Sequence, residues 1–232
     1  MKKVISAVLV LLVMFVSVPA AAFELSGGLW SVSEQDFIPE NQINHIYMLD
    51  LTLVQIGPLR LAGSAQYGGK LNNIADFLDL VRGELDEEGL GELEDFYLLG
   101  SLGGKVRVDW PVYRQLSVIT VVGYDAVGNI GKFGDSAEDV SSGLYGGITY
   151  GAGLGVEIAP GLRLAGFYEH APAVKNLMGE EDTGSIQGFD ISIEYQIPVV
   201  VARAGYRSRV LKLENASGHR LSGFYVGAGI HF

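Results

Sequence analysis

The pattern that decides the fold lies in the last nine residues, Phe224-Tyr225-Val226-Gly227-Ala228-Gly229-Ile230-His231-Phe232. Every second residue is apolar, and an extended strand places alternate residues on one face. The residues on this face are Phe224, Val226, Ala228, Ile230 and Phe232. The segment therefore predicts an amphipathic β-strand that ends on an aromatic residue.

The same alternation runs upstream to Phe23 in stretches of strand length, which are separated alternately by very short turns and by longer polar segments. Turns that are short at one end and long at the other are typical of transmembrane β-barrels, whereas a soluble β-sandwich does not need this asymmetry. Proline fits the short turns because its φ is fixed and its missing N–H is not required there. These turns are Gly57-Pro58, Pro111-Val112-Tyr113, Ala159-Pro160-Gly161 and Pro198-Val199.

Counting strands between the turns predicts an all-β fold, a transmembrane antiparallel up-and-down β-barrel of ten strands. An even number places both chain termini on the periplasmic side, together with the short turns, and the longer loops face outward. Eight strands is the alternative, because residues 23–34 alternate poorly and contain Gly27-Gly28. The predicted strands are 23–34, 43–56, 59–69, 95–110, 114–127, 142–158, 162–171, 185–197, 200–213 and 220–232.

The C-terminal hairpin resembles that of small bacterial outer-membrane β-barrel proteins. The residues that carry the resemblance are Ala204-Gly205-Tyr206-Arg207, Leu211-Lys212-Leu213-Glu214 and Ser222-Gly223-Phe224-Tyr225. The resemblance implies a location in the cell outer membrane of a Gram-negative bacterium. It also implies that the barrel-assembly machinery recognises the aromatic-ended strand, with Phe224, Val226, Ile230 and Phe232 as the assembly signal.

The N-terminus has the layout of a secretory signal peptide. Met1-Lys2-Lys3 is basic, residues 4–18 form an apolar run, and Pro19-Ala20-Ala21-Ala22 supplies small residues for cleavage. We expect residues 1–22 to be removed after export through the Sec pathway, leaving residues 23–232 as the barrel. A membrane anchor is the alternative, but the run is shorter than the roughly 20 residues that a spanning helix needs.

Composition excludes several classes of function. The 232 residues carry 16 Lys and Arg, 27 Asp and Glu, a net charge of -11 and no Cys. The absence of Cys excludes a thiol nucleophile and a thiolate metal site, and the acidic balance argues against a nucleic-acid partner. No phosphate loop, dinucleotide fingerprint or zinc motif occurs in the sequence.

The register of the hairpin at Pro198-Val199 predicts charged pairs inside the barrel. A two-residue turn there places Glu194 opposite Arg203 and Asp190 opposite Arg207. The other face then carries apolar pairs, and a slip of one residue would turn every charge toward lipid. Arg209 extends the same inward row.

The turn at Ala159-Pro160-Gly161 predicts a further inward pair. Pairing Ile158 with Leu162 sets Glu157 opposite Arg163, beside inward glycines that leave room for long side chains. The inward glycines of that strand are Gly147, Gly151, Gly153 and Gly155. Other predicted lumen residues are Lys105, Arg107, Asp109, Asp125, Glu169, Arg60 and Asp50.

Buried charges must be paired in a barrel of this size, because side chains largely fill its interior. We therefore expect a charged, largely occluded lumen. A narrow pore for small solutes or ions is the alternative.

An acidic segment lies between the third and fourth predicted strands. Its carboxylates are Asp76, Asp79, Glu84, Asp86, Glu87, Glu88, Glu92, Glu94 and Asp95. A short amphipathic helix is predicted from about Asn72 to Leu85 by the helical spacing of its apolar residues. The segment does not have EF-hand spacing, so we predict no dedicated metal site or cofactor, with weakly bound Ca²⁺ or Mg²⁺ as the alternative.

His170 is the one residue that suggests catalysis, because outer-membrane lipid A deacylases use a strand-borne His with a Ser and an acid. In some of them the Ser follows two residues after the His, where this sequence has Pro172. We therefore predict that the protein is not an enzyme, with a lipid-modifying hydrolase as the alternative. An interfacial aromatic girdle explains the remaining aromatic residues. These include Trp30, Tyr47, Tyr67, Trp110, Tyr124, Tyr150 and Tyr168.

The sequence thus predicts a monomeric outer-membrane barrel with a structural or surface-interaction role. Its predicted partners are outer-membrane lipid, lipopolysaccharide and, during biogenesis, the barrel-assembly machinery.

Overall fold

A computed structural model describes residues 23–36, 43–70, 96–132, 140–178, 183–214 and 219–232. The signal-peptide prediction at 1–22 and the acidic segment from Asp76 to Asp95 lie outside the described residues. The strands are β1 (Glu24–Asp36), β2 (His45–Ile56), β3 (Leu59–Lys70), β4 (Phe96–Tyr113), β5 (Leu116–Lys132), β6 (Val140–Ala159), β7 (Leu162–Asn176), β8 (Thr183–Gln196), β9 (Val200–Leu213) and β10 (His219–His231). No helix long and apolar enough to cross a membrane occurs in the part of the chain that the structure describes.

Each strand pairs antiparallel with its neighbours in sequence, and β1 pairs with β10 to close the barrel. Next to this junction, the backbone N–H of Phe23 donates to the carbonyl oxygen of Phe232 at 3.0 Å. The N–H of Phe232 donates to the carbonyl oxygen of Phe23 at 2.8 Å. The ten-strand prediction is confirmed, and the eight-strand alternative is wrong. Despite its poor alternation, β1 pairs with β10 from Glu24 to Asp36, with one register shift between Val32 and Glu34.

The barrel has two different ends. We call the end where the tight β2–β3, β4–β5, β6–β7 and β8–β9 hairpins turn the short-turn end, and the other the long-connection end. The β8–β9 register is the predicted one, with Glu194 opposite Arg203 and Asp190 opposite Arg207. The alternation of charged and apolar residues therefore predicted this register correctly.

Two hairpins differ from the prediction in detail. The β4–β5 turn lies at Arg114 and Gln115, not at Pro111, because β4 continues to Tyr113 and pairs it with Leu116. Arg114 has a φ of 41°, the left-handed conformation that a tight hairpin turn requires.

At the β6–β7 turn, Leu162 pairs with Ala159 rather than with Ile158. A register shift between Glu157 and Ala159 inserts the extra residue, while Glu157 stays opposite Arg163 as predicted. Counting residues from the turn cannot reveal a bulge of this kind, because the count assumes one residue opposite each residue.

Strand β7 extends beyond its predicted end at Ala171. Pro172 lies inside the strand at a register shift between Ala171 and Val174. A bulge is one of the few places in a sheet where proline is tolerated, because the missing N–H has no ladder partner there. As a result, His170 lies within β7 and not at its end.

The outer surface of the barrel is apolar. Exposed outward side chains include Leu102, Val122, Ile148, Leu154, Ile191 and Val226. The predicted assembly-signal residues Phe224, Val226, Ile230 and Phe232 are also exposed. A soluble monomer rarely exposes so continuous an apolar surface, and a closed barrel leaves no unpaired strand edge in lipid. The fold is that of a transmembrane β-barrel.

Candidate functional site in the barrel lumen

Glycines on the inner face of β6 make room for charged side chains. A Cβ on Gly155 would lie 2.7 Å from Arg163 Nε, and one on Gly151 would lie 3.0 Å from Glu169 Cγ. These separations are too short for a side chain at either glycine unless its neighbour moves. The predicted inward glycines of β6 therefore leave space in the lumen for long side chains from β7.

The described lumen carries seven basic and seven acidic side chains. They are Arg60, Lys105, Arg107, Arg163, Arg203, Arg207 and Arg209, with Glu24, Asp50, Asp109, Asp125, Glu169, Asp190 and Glu194. The equal numbers matter because a charge taken out of water is costly unless an opposite charge compensates it.

Arg203 on β9 binds the neighbouring strand β8. Its Nη2 and Nε lie 2.7 and 3.0 Å from Glu194 Oε2. Its guanidinium also lies 3.7 Å from Asp50 and 3.7 Å from Glu24, which come from the two strands across the β1–β10 junction. One arginine of β9 thus contacts carboxylates from three other strands, β8, β1 and β2.

Arg207 lies four residues further along β9, toward the long-connection end. Its Nε donates to Asp190 Oδ2 at 2.8 Å, and its guanidinium lies 4.9 Å from the centre of the Tyr225 ring. The Tyr225 hydroxyl donates to the other carboxylate oxygen of Asp190 at 3.0 Å. Both oxygens of the buried Asp190 carboxylate therefore have partners.

A second cluster crosses the middle of the lumen. Lys105 Nζ lies 2.7 Å from Glu169 and 3.3 Å from Asp125, which come from different strands. Thr149 Oγ1 donates to Asp125 at 2.9 Å, and Arg209 lies 3.8 Å from the same carboxylate. Lys105 and Arg209 thus share one buried acid.

A third cluster lies at the short-turn end. Asp109 accepts hydrogen bonds from Arg107 on its own strand at 2.7 Å and from Arg163 at 2.6 Å. Arg163 also donates to Ser117 Oγ at 2.9 Å. Glu157 lies opposite Arg163 in the register but is exposed, so the acid that pairs with Arg163 in the described structure is Asp109.

The charged clusters surround a cavity of about 170 Å³. A polar cavity of this volume holds on the order of ten water molecules. Its lining includes Glu24, Arg60, Lys105, Glu169, Arg203 and Arg207. We call this part of the lumen the charged layer.

The half of the lumen toward the long-connection end has a different character. A cluster of buried residues packs together there, and we call this cluster the apolar layer. Its members are Trp30, Ile43, Ile46, Met48, Leu99, Val127, Tyr145, Ala171, Val174, Ile186, Leu211, Leu221 and Tyr225. Sequence reasoning did not identify this layer, although the signal was present: in β4, β8 and β9 the inward face changes from charged to apolar toward that end.

Trp30 corrects one further expectation. It is only 1% exposed and belongs to the apolar layer, whereas Trp110, from the same predicted girdle, is 53% exposed on the outer face. Trp30 shares the inward face of β1 with Glu24 and Ser26, and this shared parity is the signal that could have placed it.

His170 faces outward between two tyrosines. Its ring centre lies 5.8 Å from that of Tyr150 and 6.4 Å from that of Tyr168. Its Nδ1 lies 3.2 Å from the backbone oxygen of Ile186. These contacts are those of an aromatic girdle. Within the described ranges, no group of three His, Asp or Glu side chains is arranged to hold a metal ion.

Several solved structures are similar to this chain. Neisserial surface protein A has a TM-score of 0.42 and 12% identity, covering 92% of this chain and 98% of that one. The attachment invasion locus protein Ail of Yersinia pestis has a TM-score of 0.40 and 12% identity, with coverage of 91% and 99%. The N-terminal β-barrel domain of Pseudomonas aeruginosa OprF has a TM-score of 0.42 and 12% identity, with coverage of 91% and 98%.

These neighbours are small outer-membrane β-barrel proteins. At such identities the likeness is one of fold. No protein-family model matches the sequence, and no curated protein matches it.

Proposed function

We propose that this protein is an integral barrel of a bacterial outer membrane with a largely occluded lumen, and that it has a structural or surface-interaction role. The apolar layer carries the proposal. Its buried side chains pack together in the lumen toward the long-connection end, and an apolar constriction resists the passage of ions because it wets poorly. Conduction would require both layers to be wet.

The two layers support this role in different ways. The charged layer contains water-accessible space, and most of its basic side chains are paired with carboxylates inside the lumen. The apolar layer separates that space from the long-connection end. With short turns in the periplasm, the long-connection end and the acidic segment face outward. Outward loops of this kind are where a surface interaction would be made, with lipopolysaccharide as the expected neighbour and the protein acting as a monomer.

Planar-bilayer conductance tests the proposal. The mature protein is refolded in detergent, and its folded state is verified by heat-modifiable migration on a gel. We expect no discrete current steps from folded protein, because ions cannot cross the apolar layer. Discrete steps from the same preparation would contradict the proposal and favour a narrow pore.

A matched pair of variants gives the experiment a positive control. Ile46→Ser with Leu99→Ser places polar groups in the apolar layer, and we expect it to conduct. Leu49→Ser with Leu102→Ser is the control pair. It replaces two leucines on the outer face of the same two strands, where both side chains are exposed. The outer pair should stay silent, and conduction by both pairs would point to a general loss of barrel integrity.

A pore is the second candidate, because the charged layer contains a cavity lined by arginines. If the unsubstituted protein conducts, Arg207→Ala should change its ion selectivity. No catalytic role is proposed for His170, since Pro172 occupies the place where a nucleophile is expected. Lipid A that changes on expression and reverts with His170→Ala would contradict this.

A further inference from the structure

One arginine of the charged layer differs from all the others. Arg60 on β3 faces inward, lines the cavity and lies directly opposite Arg107 in the β3–β4 register. Like charges placed opposite one another across a sheet destabilise it. The position of Arg60 therefore has an energetic cost that some other interaction must offset.

No described carboxylate offsets it at close range. Each of the other six basic side chains of the charged layer has a described carboxylate oxygen within 4.0 Å, and Arg60 has none. Glu194 and Asp109 attract Arg60 electrostatically, while Arg107 and Arg163 repel it.

Both of those acids are already engaged. Asp109 is shared by Arg107 and Arg163, with contacts of 2.7 and 2.6 Å. Glu194 accepts two hydrogen bonds from Arg203. The described carboxylates at the short-turn end of the cavity are thus already paired with Arg107, Arg163 and Arg203, and none of them lies within 4.0 Å of Arg60.

We propose that Arg60, Arg107 and Arg163 form a binding site for a small oxyanion, such as phosphate, sulfate or a small carboxylate. Guanidinium groups present planar forks of N–H donors that match these anions and bind them through charge-assisted hydrogen bonds. The adjoining cavity of about 170 Å³ provides the space. The bound anion would supply the compensating negative charge that no described carboxylate provides to Arg60 at close range.

Access to the site is through partly exposed side chains. The side chains of Arg107 and Arg163 line the cavity and are 23% and 19% exposed, so they are accessible to water. The apolar layer lies on the other side of the cavity and blocks passage further along the lumen. The site is therefore a pocket within the barrel, and its occupancy does not depend on conduction.

The test is anion-dependent thermal stability of the refolded mature protein in a maltoside detergent, which contains no phosphate. Sodium phosphate is titrated at constant ionic strength against sodium chloride, and unfolding is followed by heat-modifiable migration. We expect phosphate to raise the midpoint by several degrees, since a ligand that binds only the folded state stabilises it. Sulfate should have a similar effect.

Two matched variants locate the effect. Arg60→Gln should abolish the rise with phosphate and, in chloride alone, should be no less stable than the parent, because the repulsion with Arg107 is removed. Arg114→Gln changes an arginine at the same end that stacks on Tyr113 and does not line the cavity, so the rise should persist.

Three results would overturn the proposal: no rise in the parent protein, an equal rise in Arg60→Gln, or a rise that Arg114→Gln removes as well. If Arg60→Gln does not fold, Arg60→Lys keeps the charge but removes the fork of donors and should weaken the rise. Broadening of the phosphorus-31 resonance of phosphate by the unsubstituted protein, reversed by sulfate, gives an independent measurement. Absence of that broadening would also contradict the site.

Discussion

The charged layer and the apolar layer occupy the same barrel and are held by the same strands, yet their chemistry is opposite. The outer face is apolar around both, because it meets lipid. The difference arises only from inward residues, such as Arg207 and Leu211 on β9 or Glu194 and Ile186 on β8. A transmembrane barrel can therefore change the function of its lumen along its length without changing its exterior.

The two layers also contribute differently to the fold. Burial of apolar surface stabilises the folded state by roughly 25 cal/mol per Å². Ion pairs taken out of water yield little net stability but are costly to break. We infer that the apolar layer supplies packing energy and that the charged layer enforces the strand register.

The largest expected effect comes from reversing a charge in the charged layer. Arg203→Glu places an acid beside Glu194, Asp50 and Glu24, and we expect the free energy of unfolding in urea to fall by about 3–5 kcal/mol or more. Adding Glu194→Arg should restore most of the loss. A double variant no more stable than Arg203→Glu alone would mean that this pair does not hold the register.

Truncating a side chain of the apolar layer should lower the free energy of unfolding nearly as much as Arg203→Glu does. Trp30→Ala removes the largest of its fully buried side chains, and we expect a loss of about 3–5 kcal/mol in the same urea titration. Trp110→Ala is the control on the outer face, where truncation leaves no internal cavity and the loss should be smaller. Equal losses from both variants would contradict the assignment of Trp30 to the lumen.

Tyr225 joins the two layers, because its ring belongs to the apolar cluster and its hydroxyl donates to Asp190. Tyr225→Phe keeps the ring and removes a hydrogen bond to a charged group, so we expect a loss of about 2 kcal/mol. Tyr206→Phe is the outward control and should change stability by less than about 0.5 kcal/mol. A neutral Tyr225→Phe would show that the layers are not coupled through this side chain.

The smallest effect is expected from filling the space between β6 and β7. A Cβ added at Gly155 meets the flexible end of Arg163, so Gly155→Ala should cost about 1 kcal/mol. Gly104 has nothing within 4 Å of an added Cβ, and Gly104→Ala should be neutral or slightly stabilising. Urea titration of the pair measures the difference, and a cost at Gly104 alone would reverse the assignment of the two faces.

Sequence reasoning succeeded where period-two alternation and charge acted together. The ten strands and the β8–β9 register followed from it, because any slip would have placed Arg203 and Asp190 against lipid. It failed at Ile158 and Pro111, where bulges add a residue that no count from a turn reveals.

Contacts across the lumen also could not be predicted. Arg163 pairs with Asp109 and not with its register neighbour Glu157, and Lys105 pairs with acids from two other strands. Such partners depend on the curvature of the closed barrel, which the sequence pattern does not specify. The apolar layer was missed although its residues share the inward parity of the charged ones, as Leu211 does with Arg207 on β9.

The two-layer account is tested most directly by the reactivity of single cysteines, which the Cys-free sequence makes simple. Ser64→Cys places a thiol in the cavity of the charged layer, on β3. Ile46→Cys places one in the apolar layer, on the adjacent strand β2. Folded barrels are treated with a small charged methanethiosulfonate, and modification is measured by mass. We predict that Ser64→Cys reacts about tenfold faster or more, because the reagent needs a water-accessible thiol. Equal, rapid reaction at both positions would show that water fills the whole lumen and would contradict the account.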